Sequence, residues 1–244
     1  MLFSPQILVR NPPKPAVAAG LGLQTNLTGF WSFENTSWTD DTGNGSTLTG
    51  TGSPTSVAGL VGNAVSLNGS TQYLQCTSNS NLVTASGSFS FAFWINGATP
   101  PNTGWVSKDN NAFGQREWIA RTRFTTSNVY SWTAFDSSST GYNCDSNVSI
   151  SAGWHFFVGT FNATGLAMKI YIDGIDVTQG TPTVTGAVNS SASAPFNIGF
   201  TPSTILSSAA LVDQLGFWKG RVLSASDVTA LYNSGSGLSY AAMA

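Results

Sequence analysis

The stretch from Gly153 to Gly174, GWHFFVGTFNATGLAMKIYIDG, most narrowly constrains what this chain can become. Phe156, Val158 and Thr160 alternate with Phe157, Gly159 and Phe161. Asn162, Ala163, Thr164 and Gly165 then interrupt the run, and Met168, Ile170 and Ile172 alternate with Lys169, Tyr171 and Asp173. A period of two places successive side chains on opposite faces, and Asn and Gly tolerate the backbone of a tight turn. The segment therefore predicts a β-hairpin closed by a second turn at Asp173-Gly174.

Further strands are predicted over 29–33, 64–67, 73–76, 89–95, 104–107, 117–124, 128–134, 196–200 and 210–218, beside the hairpin strands 155–161 and 168–172. Phe89, Phe91, Phe93 and Ile95 share one strand face and are read as core. One short helix is predicted, with Ser224 as N-cap, Asp227 at the third position, and Val228, Leu231 and Tyr232 as its apolar stripe. Many turns are expected from 26 glycines, and 15 Phe with 8 Trp supply a large aromatic core. No long linker divides the strand-like runs, so 244 residues are read as a single domain with short appendages.

Several further blocks carry a resemblance. They are Gly29-Phe-Trp-Ser-Phe-Glu34 with Asp41-Thr-Gly-Asn-Gly45, Gly62-Asn-Ala-Val-Ser-Leu-Asn-Gly69, and Ser88-Phe-Ser-Phe-Ala-Phe-Trp-Ile95. Phe196-Asn-Ile-Gly199 and Leu211-Val-Asp-Gln-Leu-Gly-Phe217 complete the set. In this order, with the hairpin, they resemble laminin G-like, concanavalin A-like lectin/glucanase domains over about residues 24–240. The resemblance implies an all-β fold, an antiparallel two-sheet jelly-roll sandwich with a short C-terminal helix. Residues 1–23 then form an extended, Pro-rich arm, and residues 241–244 close a tail that is read as flexible from Gly235 onward. The arm's Leu2, Phe3, Ile7, Leu8 and Val9 favour docking on a neighbouring subunit over a loose terminus.

Only 8% of residues are charged, against about 25% in an ordinary soluble domain. Nine Lys and Arg, scattered and offset by eleven acids, exclude nucleic-acid binding by counterion release. Residues 1–10 hold neither a basic start nor a long apolar run, so neither a signal peptide nor a membrane span is read there. Cys76 and Cys144 are read as free thiols, with a disulfide as the alternative that spacing leaves open.

Catalytic sets are sparse. Glycoside hydrolysis needs two carboxylates flanking one bond, about 5–9.5 Å apart. Glu34 and Glu117, the only glutamates, have no acid two or three residues away on the same strand face. His155, the single histidine, sits between Trp154 and Phe156 on the hairpin and is read as structural; no Gly-x-Ser-x-Gly motif or phosphate loop is present. Calcium takes six to eight oxygen ligands, which Asp/Asn/Gly loops supply. The family likeness makes Asp40, Asp41 and Asp213 the candidate ligands of a structural calcium ion; the alternative is that Asp40 and Asp41 cap turns. Gln214 follows Asp213 where relatives usually carry an acid. Trp38, Trp105, Trp132 and Tyr142 lie in or near predicted loops and are the candidate aromatic platforms for a sugar.

The resulting expectation is a non-enzymatic virion structural protein of a tailed bacteriophage: a capsid decoration, head-fibre or tail-associated adhesion module. Its partners would be capsid or tail proteins, further copies of itself and glycans, with neither nucleic acid nor membrane. If Met1 is the natural start, it is made in the host cytoplasm and resides in the virion. A secreted carbohydrate-binding lectin module is the alternative, and a divergent glycoside hydrolase the third.

Overall fold

A computed structural model describes residues 20–77, 79–97, 103–110, 112, 114–122, 129–149, 151–202, 206–207 and 209–244. The arm proposed over residues 1–23 lies outside these except for its last four residues, as do Phe124 and Asn128 at the ends of two predicted strands. In chain order the strands are β1 (Leu27–Trp31), β2 (Thr49–Thr51), β3 (Thr55–Ala58), β4 (Asn63–Asn68), β5 (Tyr73–Cys76) and β6 (Phe89–Gly97). There follow β7 (Gly104–Asp109), β8 (Arg116–Thr122), β9 (Val129–Phe135), β10 (Gly141–Ser149), β11 (His155–Asn162) and β12 (Ala167–Ile172). The last are β13 (Ile175–Asp176), β14 (Phe196–Ile198), β15 (Phe200–Thr201), β16 (Leu206–Ser207) and β17 (Ala209–Lys219), before helix α1 (Ala225–Tyr232).

These strands form two antiparallel sheets, the jelly-roll sandwich expected from sequence. One has the order β13-β12-β11-β6-β17-β4-β3, with β1 also paired to β17; the other runs β10-β9-β8-β7-β14-β5-β2. β15 and β16 make a separate small ribbon. β17 serves two partners along one edge. Its residues 209–212 pair with β4 and 215–218 with β1, and the register shifts between Asp213 and Gly216. Gln214 takes a positive φ of 47° at that point.

The core follows from the alternation. Phe89, Phe91 and Phe93 pack beside Phe157 and Phe217 of the same sheet and face Trp118 and Trp132 across the sandwich, and Phe91 stacks on Trp118 at 4.2 Å between centroids. Gly159 lies opposite Phe91 in the register, where a methyl group would collide with the Phe91 ring. The other face of β6 is buried too. Ala92 and Trp94, with Phe30, Phe156 and Trp218, form a second cluster covered by Val228 and Leu231 of α1. The helix begins as predicted: Ser224 and Asp227 make a reciprocal capping box.

Two expectations need correction. The segment after Gly235 is not a loose tail, because Met243 is fully buried in the second cluster. Leu21 N donates to Ala244 O at 2.7 Å and Leu23 N to Met243 O at 3.0 Å, so residues 20–23 belong to the sandwich and not to an arm. Strands β2, β3, β10, β13, β15 and β16 were absent from the prediction. In β10 the inward residues Tyr142, Cys144 and Ser146 alternate with Gly, Asn and Asp, a pattern with too little hydrophobic contrast to read as a strand. The two cysteines are free and buried, as read from sequence. Their strands, β5 and β10, are separated by β14, β7, β8 and β9. At about 4.8 Å per strand that is about 24 Å, far beyond disulfide reach.

Candidate functional site

The predicted metal ligands do other work. Asp40 Oδ1 accepts from Phe30 N, Thr42 N and Thr42 Oγ1, and its Oδ2 accepts from Ser46 N. Asp41 Oδ2 accepts from Ser32 N at 2.8 Å. Both carboxylates staple the 40–46 loop to the end of β1, since an Asp side chain readily closes a turn on backbone amides. Asp213 lies apart from them. Fully buried, it accepts from Leu60 N and Val61 N, each at 2.9 Å, and burial pushes its carboxyl up to about 7. No group of three or more His, Cys, Asp or Glu side chains able to hold a metal occurs among the described residues. The donor set does not fit a calcium cage, because Asp40's oxygens are saturated by N–H and O–H donors and Asp213 lies elsewhere.

The predicted aromatic platforms are core residues. Trp132 and Trp105 are 0% and 2% exposed, and Trp38 and Tyr142 are 6% and 7% exposed. Trp132 Nε1 donates to Lys169 O, and Tyr142 Oη bonds Asp136 and Thr185. In a two-layer sandwich the large rings fill the interlayer space, which leaves no flat face for a sugar. The two glutamates do not form a glycosidase pair. Glu34 accepts from Asn63 N, whereas Glu117 is buried beside Lys108. Burial pushes the Glu117 carboxyl up to about 7.

A different set of residues comes together at one edge of the sandwich. There β10 meets the segment after β13: Asn147 N donates to Val177 O and Gln179 N to Asp145 O, both at 2.8 Å. Beside this seam lies an open cavity of about 230 Å³. Val148, Ile172, Ile175 and Val177 form its apolar wall, and Tyr130, Ser149, Ser151, His155 and Asp173 supply polar groups. Ile175 is 65% exposed and Val148 36% exposed.

The polar groups are ordered by the hairpin that opened the sequence analysis. His155 begins β11 and Asp173 sits in the turn after β12, with a positive φ of 53°. Asp173 Oδ1 accepts from Phe156 N at 2.8 Å, and Oδ2 lies 2.8 Å from His155 Nδ1. An ionised carboxylate only accepts, so Nδ1 carries the proton and Nε2 is left with a lone pair. Ser151 Oγ lies 2.9 Å from that Nε2 and donates to it. The Tyr130 ring meets His155 edge-on at 5.9 Å between centroids. Its buried hydroxyl makes no hydrogen bond of ordinary geometry, although the Ser151 backbone lies close enough to act on it. Burial, reinforced by the Asp173 charge, raises the Tyr130 phenol well above its usual range, so it stays a donor.

Ser151, Tyr130 and Asp173 were not identified from sequence as site residues. Asp173 carried a signal: the hairpin register that pairs Phe157 with Ile172 places 173 beside 156. Ser151 and Tyr130 carried none, because they reach His155 only through the turn before β11 and the stacking of the second sheet.

A family profile described as the concanavalin A-like lectin/glucanases superfamily matches residues 68–229. No curated protein sequence matches significantly. Among solved structures, the botulinum neurotoxin type G receptor-binding domain superposes with a TM-score of 0.66 at 18% identity, covering 86% of this chain and 51% of that one. The binding domain of paraclostridial mosquitocidal protein 1 gives 0.68 at 17% identity, covering 87% and 53%. This chain thus spans about half the length of each toxin domain. Domain 4 of AbnA, a GH43 extracellular arabinanase from Geobacillus stearothermophilus solved with arabinotriose, gives 0.59 at 20% identity, covering 84% and 97%. The first two are named as binding domains and the third was solved with an oligosaccharide, while identities this low establish the shared sandwich alone. With a profile spanning most of its strands, the chain belongs to the concanavalin A-like lectin/glucanase superfamily.

Proposed function

We propose that this protein is a binding module that seats one unit of a saccharide in the edge cavity. The observation that carries this reading is the cavity's two-sided chemistry. An aliphatic wall of Ile172, Ile175 and Val177 lies beside Ser149, Ser151 and Asp173, whose hydroxyls and carboxylate match sugar hydroxyls. The superfamily and the named roles of the structural relatives support binding as the task. The fully buried Glu117 cannot reach a polysaccharide, which argues against a glycosidase. Glycan-array screening followed by calorimetry tests the reading. A bound saccharide should lose at least about tenfold in affinity in Ile175→Ser and Ser149→Ala; unchanged affinity in both would remove the cavity as the site.

A second reading concerns where the module is displayed. The 8% charge content and the Pro-rich segment over 1–23 favour a tailed-phage virion surface, with capsid or tail proteins and further copies of the chain as neighbours. Co-sedimentation of the full chain with assembled shells tests this; a 20–244 chain that co-sediments equally well would remove the arm from the account.

A further inference from the structure

We propose that the edge cavity is also an acyl-transfer site that hydrolyses small esters, with O-acylated saccharides as the substrate class, and that Ser151 is its nucleophile. This goes beyond the binding reading: it shares the cavity but does not depend on saccharide affinity.

Three roles are filled by three residues. Ser151 Oγ lies 2.9 Å from His155 Nε2, and its residue is exposed on the turn before β11. His155 Nδ1 lies 2.8 Å from Asp173 Oδ2, which sets the tautomer that leaves Nε2 free to take the serine proton. Asp173 is itself fixed by Phe156 N, so the imidazole cannot swing away without breaking the hairpin turn. The Ile172, Ile175 and Val177 wall receives a short acyl chain.

The reaction balances without an added reagent. Ser151 Oγ bonds to the ester carbon as its proton passes to His155 Nε2, and the carbonyl electron pair moves to the carbonyl oxygen. Collapse breaks the ester C–O bond, and the leaving alcohol takes the proton from His155. Water, deprotonated by the same nitrogen, then attacks the acyl-Ser151 ester. The products are a carboxylic acid and free Ser151.

The test uses the full chain with a fluorophosphonate probe and p-nitrophenyl acetate. Mass spectrometry should find the phosphonyl group on Ser151, and Ser151→Ala should lose both label and turnover. His155→Gln should slow labelling about 10²–10⁴-fold, the range of general-base catalysis. Asp173, a positioning residue, should lower kcat in Asp173→Asn while KM is unchanged. Near-UV circular dichroism confirms that each variant is folded. A label absent from Ser151, or labelling that His155→Gln leaves unchanged, overturns the proposal. Failure of labelling with saccharide binding intact sinks this inference alone; loss of saccharide binding with labelling intact sinks only the binding reading.

Discussion

The centre of the sandwich and its β10–β13 edge are built from the same strands, yet they do opposite things. Midway along β6, β8 and β11, Phe91, Trp118 and Phe157 are fully buried in the main hydrophobic cluster. At the ends of β11 and β12, His155 and Asp173 are held just as firmly but line an open cavity. Tyr130 joins the two regions: its ring packs on Trp105 and Phe157 and its residue also lines the cavity, with the hydroxyl buried. Rigid placement in both cases comes from the ladder, and what differs is access to water. Strand centres yield stability and strand ends yield chemistry.

The largest expected effect lies at the centre. Phe91→Ala removes a ring stacked on Trp118 and leaves a void between the sheets, at a cost of about 3–5 kcal/mol; chemical denaturation reads it as a lower midpoint with saccharide binding intact in the folded fraction. A cost under about 1 kcal/mol would mean the interlayer stack is not what holds the sheets together.

Next comes a buried carboxyl inside the structure, that of Glu117. Its Oε1 and Oε2 accept from Ser191 N and Thr84 N, and Lys108 Nζ donates to Ser191 O, which ties down the turn before β14. The folded-state value, raised by burial from 4.5 to about 7, means that the native state holds this proton more tightly than the unfolded chain. The associated stabilisation is complete below 4.5 and is lost as pH rises through about 7. The stability difference between wild type and Glu117→Gln should therefore shrink across that window; a flat difference would show that Glu117 titrates as in the unfolded chain.

Smaller still is Tyr130→Phe. It removes a buried hydroxyl that lacks an ordinary hydrogen bond, so stability should change by less than about 1 kcal/mol. A large loss of stability would place Tyr130 with the core and not with the cavity. The smallest effect is expected from metal removal: a chelator should leave the thermal midpoint unchanged, because Asp40's oxygens are satisfied by backbone amides and the Thr42 hydroxyl. A clear drop restored by calcium would reverse that conclusion.

The fold was legible where alternation was strong. Phe89 to Ile95 and the 155–172 hairpin announce their period, and Ser224 with Asp227 announces the helix start, because each signal is local. β10 was hidden, since its inward positions include Cys144 and Ser146 beside polar neighbours. The site was mostly illegible. Trp38, Trp105, Trp132 and Tyr142 are aromatic in either role, and composition cannot tell a ring turned inward from one turned out. Asp40, Asp41 and Asp213 are acids in turns in either role, and a carboxylate's partner is decided by which amide reaches it first.

Sequence by itself determined the strand hairpin, the phenylalanine face of β6, the capping box and the sparing use of charge, because period and turn chemistry act over a few residues; the two-layer architecture came from the family resemblance of its blocks. Tertiary structure alone decided that Ser151, His155, Asp173 and Tyr130 share a cavity, that Met243 closes the second cluster, and that Asp213 lies apart from Asp40. Those outcomes depend on sheet stacking and strand order, which bring together residues that no short-range pattern connects.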